Sequence, residues 1–118
     1  MPSPLLRALP LLLLTIAQAD PASAPPPRTL DFAPLFSDAD YPAEALANNE
    51  AGTVVFRLDI DRKGRVSRCT ITTSSGAASL DATTCRVLRQ RARFTAKRNA
   101  DGKPVPATVE GHITWHMP

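Results

Sequence analysis

Residues 52 to 73, with the sequence GTVVFRLDIDRKGRVSRCTITT, decide the fold because they contain two strands and the turn between them. In the first half, apolar residues alternate with mostly polar ones, which is the period-two pattern of a β-strand with one buried face. The apolar positions are Val54, Phe56, Leu58 and Ile60. Gly64 can adopt the positive φ that a tight turn requires, so we expect the chain to reverse there into a second strand from Arg65 to Thr73.

The second strand changes parity along its length. Val66 belongs to one parity, whereas Cys69 and Ile71 belong to the other. A continuous strand would therefore turn one of these two sets away from the core. An extra residue in a β-bulge brings both sets to the same face, and we predict such a bulge near Ser67-Arg68.

A short helix is predicted before the hairpin and a longer helix after it. Residues 41 to 49 begin with Tyr41-Pro42, and proline is favoured at the first helical position. Beyond the break at Ser74-Ser75-Gly76, Ser79 is a candidate N-cap for a helix from Leu80 to about Arg93. One face of this second helix carries Leu80, Thr84, Val87 and Leu88.

The chain ends in a third strand. A polar loop with a turn at Asp101-Gly102 leads into residues 105 to 116, which alternate between an apolar and a polar face. The elements predict an α+β domain with the order short helix, β-hairpin, longer helix and β-strand. We expect a three-stranded antiparallel sheet with the longer helix packed on one face.

The N-terminal third of the chain has the organisation of an exported protein. An apolar run from Leu9 to Ile16 is followed by Ala17-Gln18-Ala19, the small-x-small pattern that signal peptidase cleaves. We therefore predict a signal peptide at residues 1–19, a proline-rich linker at 20–36 and the folded domain at 37–118. The run is much shorter than the about 20 residues that span a bilayer, so we expect no integral membrane span. An uncleaved signal anchor is the alternative.

Two cysteines, Cys69 and Cys85, lie in the predicted second strand and longer helix. Neither belongs to a Cys-x-x-Cys motif, and neither has a histidine at metal-binding spacing. In an oxidising compartment a disulfide between them would stabilise the domain by roughly 3 kcal/mol. A redox-active thiol at Cys69 is the alternative, because Arg65 and Arg68 could lower its pKa.

Basic residues are concentrated in the predicted domain. The chain has a formal net charge of +3, and residues 51 to 118 contain twelve Lys and Arg against five Asp and Glu. One group lies on the longer helix and its exit: Arg86, Arg89, Arg91, Arg93, Lys97 and Arg98. Export argues against nucleic acid as the partner. These residues are either a solvated face that offsets the helix dipole or a site for an acidic protein or anionic lipid.

The sequence contains no pattern for catalysis or for cofactor binding. His112 and His116 lie four residues apart on one strand, so their Cα atoms would be roughly 13 Å apart, too far for one metal ion. Ser74 and Ser75 lack the Gly-x-Ser-x-Gly elbow of a nucleophilic serine. No glycine-rich phosphate loop is present. We therefore expect a binding module that is not an enzyme and that holds no metal or cofactor.

Several short motifs occur in the order typical of one family. They are Tyr41-Pro42, Gly52-Thr53-Val54-Val55, Asp61-Arg62-Lys63-Gly64, Ser74-Ser75-Gly76 and Asp101-Gly102-Lys103-Pro104. Residues 41 to 115 resemble the C-terminal domain of TonB. The resemblance implies a periplasmic module that binds the TonB box of TonB-dependent outer-membrane receptors as an added β-strand. It assigns the partner-binding role to Asp38, Tyr41, Pro42, Thr108, Glu110, His112, Thr114 and His116.

Some features depart from the pattern of full TonB transducers. Asp38 replaces a common glutamine, and Phe94-Thr95-Ala96 replaces a Phe-x-Pro motif. A linker of this length reaches only about 50 Å, even fully extended. These differences suggest a stand-alone, secreted TonB-like protein. The alternative is a disulfide-stabilised structural or assembly protein whose own strand edges pair into homodimers.

Overall fold

The computed structural model describes residues 30 to 118. Two short 3-10 turns, at Ala33–Leu35 and Asp38–Asp40, precede the regular elements. These are α1 (Ala43–Ala47), β1 (Gly52–Ile60), β2 (Val66–Thr73), α2 (Ala78–Arg91), β3 (Lys97–Arg98), β4 (Pro104–Val105) and β5 (Ala107–Trp115). The predicted signal peptide and residues 20 to 29 of the predicted linker lie outside the described residues.

The main sheet has three antiparallel strands in the order β2-β1-β5. The central strand, β1, pairs with β5 without a shift, from Gly52 opposite Trp115 to Ile60 opposite Ala107. The predicted α+β class and three-stranded sheet are confirmed. The loop predicted around Asp101-Gly102 also forms a small β3-β4 ladder, in which Lys97 pairs with Val105.

β2 contains two bulges. Asp59 pairs with Arg68 and the next residue, Ile60, pairs with Val66, so Ser67 is the extra residue. This confirms the predicted bulge, and the Ser67 hydroxyl donates a 3.0 Å hydrogen bond to the Asp59 carbonyl. A second shift leaves Thr72 unpaired near the other end of the strand. No change of parity marks this second bulge in the sequence, because the strand ends one residue later.

The start of α2 differs from the prediction. The helix begins at Ala78, so Ser79 lies inside it and is not its N-cap. The carboxylate of Asp81 instead accepts hydrogen bonds from the preceding turn: from the Ser75 backbone N–H at 2.9 Å, from the Ser75 hydroxyl at 2.7 Å and from the Ser74 hydroxyl. In α1, Pro42 occupies the N-cap position and not the first helical position.

The core lies between α2 and one face of the sheet. The predicted stripe of α2 is fully buried, as are Phe56 and Leu58 of β1. The structure contains the predicted disulfide between Cys69 of β2 and Cys85 of α2, whose Cα atoms are 5.6 Å apart. This covalent link holds the helix over the β2 side of the sheet.

Residues 30 to 36, which were expected to belong to an extended linker, pack on the β5 side of the sheet. Phe32 is 4% exposed and its ring meets that of Phe56 edge to face, with centroids 5.1 Å apart. Gly111 makes room for it, because a Cβ at that position would lie 2.5 Å from Phe32 Cε2. Glycine in a strand interior often marks such a close approach. The folded unit therefore includes part of the predicted linker.

Among the helices in residues 30 to 118, none combines the length and apolar character that crossing a bilayer requires.

Candidate functional site

The outer side of β5 presents unpaired backbone groups. The Asp61 N–H donates to the Arg65 carbonyl at 2.9 Å, so odd-numbered residues of β1 direct their backbone groups toward β2. Even-numbered residues of β1 then face β5, and their partners are the odd-numbered residues of β5. Among residues 30 to 118, no strand pairs with the other side of β5. The N–H and C=O groups directed there belong to Thr108, Glu110, His112 and Thr114.

The cross-strand contact between Thr53 and Thr114 agrees with the outward direction of the backbone groups of Thr114. Their hydroxyl oxygens are 2.9 Å apart. Side chains directly opposite each other come closest in the pairs that do not exchange backbone hydrogen bonds. Thr114 thus keeps its own backbone groups free for the open side of β5.

The two edges of the sheet differ in regularity. The β2 edge is interrupted by the bulges at Ser67 and Thr72, whereas β5 pairs over its whole length without a shift. Bulges are a common means of preventing another strand from pairing with an exposed edge. The β5 edge is therefore the one suited to accept an added strand.

A groove of about 170 Å³ borders the C-terminal half of β5. Its apolar surface comes from Phe36, Tyr41, Ile113 and Trp115. The rings of Phe36 and Tyr41 meet Trp115 edge to face at 5.4 and 5.3 Å. The Trp115 indole N–H donates to Thr84 Oγ1 at 2.9 Å, which anchors this aromatic cluster to α2.

A family model for the Gram-negative bacterial TonB protein C-terminal matches residues 37–117. The chain belongs to this family. TonB C-terminal domains are periplasmic protein-interaction domains associated with outer-membrane receptors and transport. No curated protein and no solved structure matches the chain. Residues 30 to 36 precede the matched range. The packing of Phe32 on the sheet and the position of Phe36 in the groove therefore come from the structure of this TonB C-terminal domain and not from the family match.

The wall of the groove opposite β5 is held in place by an ion pair. Arg91 at the end of α2 donates to both carboxylate oxygens of Asp40 at 2.8 Å, and also to the Leu35 carbonyl at 2.8 Å. Asp40 in turn accepts the Ser37 backbone N–H at 2.9 Å. The hydrogen bonds from Arg91 lower the pKa of Asp40 to about 2. One arginine thus ties both 3-10 turns to the helix.

The predicted partner-binding residues are distributed along the edge and groove of this TonB C-terminal domain. Asp38, Tyr41, Thr114 and His116 line the groove, and His112 lies beside Asp31 in an adjoining depression. Tyr41 is itself buried, with its hydroxyl donating to the Glu50 carbonyl, so its ring is a fixed part of the wall.

Three predicted residues lie away from the groove. Thr108 borders a separate cavity near the hairpin turn, and Glu110 is exposed on β5 opposite Arg57. Pro42 caps α1 and does not line the groove. The groove does include Phe36, which was predicted to belong to the linker. Two features of the sequence could have indicated that this segment packs on the sheet. They are the apolar residues in LDFAPLF and the glycine at an inward-facing position of β5, Gly111.

Proposed function

We propose that this TonB C-terminal domain binds an extended segment of a TonB-dependent outer-membrane receptor by adding it as a strand to β5. The observation that carries the proposal is the uninterrupted, unpaired edge of β5 beside an aromatic groove. In this role the domain acts in the periplasm, reached through the N-terminal signal peptide, and contributes to receptor-linked transport.

Main-chain hydrogen bonds would supply most of the affinity. Each of the four outward-facing residues of β5 offers one donor and one acceptor, and each hydrogen bond formed contributes about 0.5–1.5 kcal/mol net. An apolar side chain of the added strand would enter the groove next to Trp115. Such binding requires an extended backbone and makes few demands on the sequence of the partner.

Two substitutions at one position separate the main-chain contribution from the side-chain contribution. In His112→Pro the outward N–H is lost and the ring obstructs an incoming strand, while pairing with β1 uses neighbouring residues. In His112→Ala the N–H remains. We expect His112→Pro to weaken binding of a TonB-box peptide at least tenfold and His112→Ala to change it less than threefold. Peptide binding can be followed by the fluorescence of Trp115, the only tryptophan in the chain.

Equal affinities for the two variants and the original protein would refute binding at this edge. Circular dichroism of each variant would establish that the fold is retained. Sedimentation at several concentrations would test the alternative of self-pairing, in which His112→Pro disrupts a homodimer instead of a peptide complex.

A further inference from the structure

We propose that the end of the domain containing the β1-β2 turn binds the surface of a bilayer that contains anionic phospholipid. This end, here called the basic end, consists of residues 61 to 65 and 92 to 106. It contains seven basic and two acidic side chains. The basic residues are Arg62, Lys63, Arg65, Arg93, Lys97, Arg98 and Lys103. The proposal does not depend on peptide binding at β5.

Three separate parts of the chain bring these charges together. The Phe94 N–H donates to the Gly64 carbonyl at 2.8 Å, which joins the exit of α2 to the hairpin turn. Gly64 is required for this contact because a Cβ there would overlap the Phe94 carbonyl oxygen. The β3-β4 ladder, with Lys97 and Arg98, then extends from the same end. A favourable interaction with the helix dipole accounts only for the basic residues at the C-terminal end of α2, and not for those of the hairpin turn or the β3-β4 ladder.

The arrangement places like charges next to each other. Arg65 and Arg93 occupy directly opposed positions in an antiparallel bridge, and both are exposed. Like charges opposite each other are destabilising. Within residues 30 to 118, ion pairs are formed by Arg68 and Arg91, and by none of the seven basic side chains of this end. Asp61 directs its carboxylate into the turn, where it accepts the N–H groups of Lys63 and Arg65.

The opposite end of the sheet has the reverse charge. Residues 41 to 52, 73 to 82 and 115 to 118 contain Glu44, Glu50 and Asp81 but no lysine or arginine. The domain is thus polarised along its strands. An anionic bilayer would attract the basic end and repel the other, which gives the bound domain one preferred orientation.

The surface beside Arg93 favours a membrane over a soluble acidic protein as the partner. Leu30, which is 51% exposed, lies in one depression with Arg93 and Phe94. An exposed leucine next to arginine is suited to the interface between headgroups and acyl chains, whereas a soluble acidic protein would need only the charges.

The test measures binding of the full chain to phosphatidylcholine vesicles with and without phosphatidylglycerol. Binding to the neutral vesicles measures any contribution of the N-terminal apolar run. The excess binding, defined as the partition coefficient on anionic vesicles relative to that on neutral vesicles, measures the contribution of the basic end. Each basic residue near such a surface contributes about fivefold to the partition coefficient. We expect Arg62→Gln combined with Lys63→Gln to reduce the excess roughly 25-fold, and added salt to abolish it.

A matched control removes two charges elsewhere. Arg57 and Arg68 lie in the strands of the sheet and outside the basic end, so Arg57→Gln combined with Arg68→Gln gives the same net charge. We expect this control to retain most of the excess binding. Equal losses in both double variants, or no loss in either, would overturn the proposal. Inorganic phosphate that displaces the protein at millimolar concentration would also overturn it, by showing a site for free anions and not for a surface.

Discussion

Replacing Phe32 by alanine tests whether residues 30 to 36 are part of the folded domain. The Phe32 side chain is 4% exposed and packs on Phe56 and over Gly111. Truncation of a buried phenylalanine costs about 3–5 kcal/mol. The loss in free energy of unfolding cannot exceed the free energy with which residues 30 to 36 dock on the sheet. Once this segment has detached, the rest of the sheet would stay folded. We therefore expect a loss of about 3 kcal/mol.

The matched control is Leu30→Ala, because Leu30 is 51% exposed and belongs to the same segment. We expect it to change the free energy of unfolding by less than about 0.5 kcal/mol. Urea and thermal unfolding of the full chain, with the disulfide intact, measure both variants. For a domain of this size 3 kcal/mol corresponds to a decrease in Tm of at least about 10 °C. Equal stabilities of the two variants would refute the docking of this segment.

A double-mutant cycle with Gly111→Ala isolates the contact itself. In the original protein the new Cβ would lie 2.5 Å from the Phe32 ring and must displace it. In the Phe32→Ala background that obstacle is absent. We expect the Gly111→Ala substitution to destabilise the original protein clearly more than the Phe32→Ala variant, with a coupling of about 1 kcal/mol or more. Additive effects would show that the two residues do not meet.

Two further predictions concern stability. Replacing Cys69 and Cys85 by serine should cost roughly 3 kcal/mol for a sequence separation of 16, and reductant should destabilise the original protein but not this variant; a change below about 1 kcal/mol in urea unfolding would contradict this. Asp40 has its pKa lowered from 3.8 to about 2 by Arg91, so its contribution is present above pH 4 and is lost as the pH falls through 2. Because Arg91 is 42% exposed, we expect a contribution of roughly 1 kcal/mol. Unfolding measured from pH 5 to pH 2 should show a smaller pH dependence in Asp40→Asn, and equal slopes would exclude the pair.

Local sequence patterns were sufficient for the three strands of the main sheet and for most of the longer helix. The alternation from Val54 to Ile60 predicted the buried face of β1, and the change of parity after Val66 predicted the bulge at Ser67. The absence of metal-binding spacing around Cys69 and Cys85, together with the predicted export, predicted their disulfide. The alternation in β1 and the change of parity in β2 are each contained in fewer than about ten neighbouring residues, because side-chain direction repeats with the period of the element.

Local patterns failed at the start of α2 and in residues 30 to 36. Ser79 is a good N-cap by composition, but the turn at Ser74 and Ser75 binds Asp81, and the helix begins before it. The segment LDFAPLF has no strand or helix period, so only its docking over Gly111 shows that it belongs to the core.

The sequence by itself therefore determined the two α-helices and the three strands of the main sheet to within a few residues, the buried faces of β1 and α2, the cysteine pair and the membership of the TonB C-terminal family. The tertiary structure decided which strand has the open edge, where the groove lies, and that the basic residues of the hairpin turn, the exit of α2 and the β3-β4 ladder meet at one end. The reason is physical: residue periodicity encodes what each side chain faces, whereas the order β2-β1-β5 and the docking of Phe32 depend on packing between segments far apart in the chain.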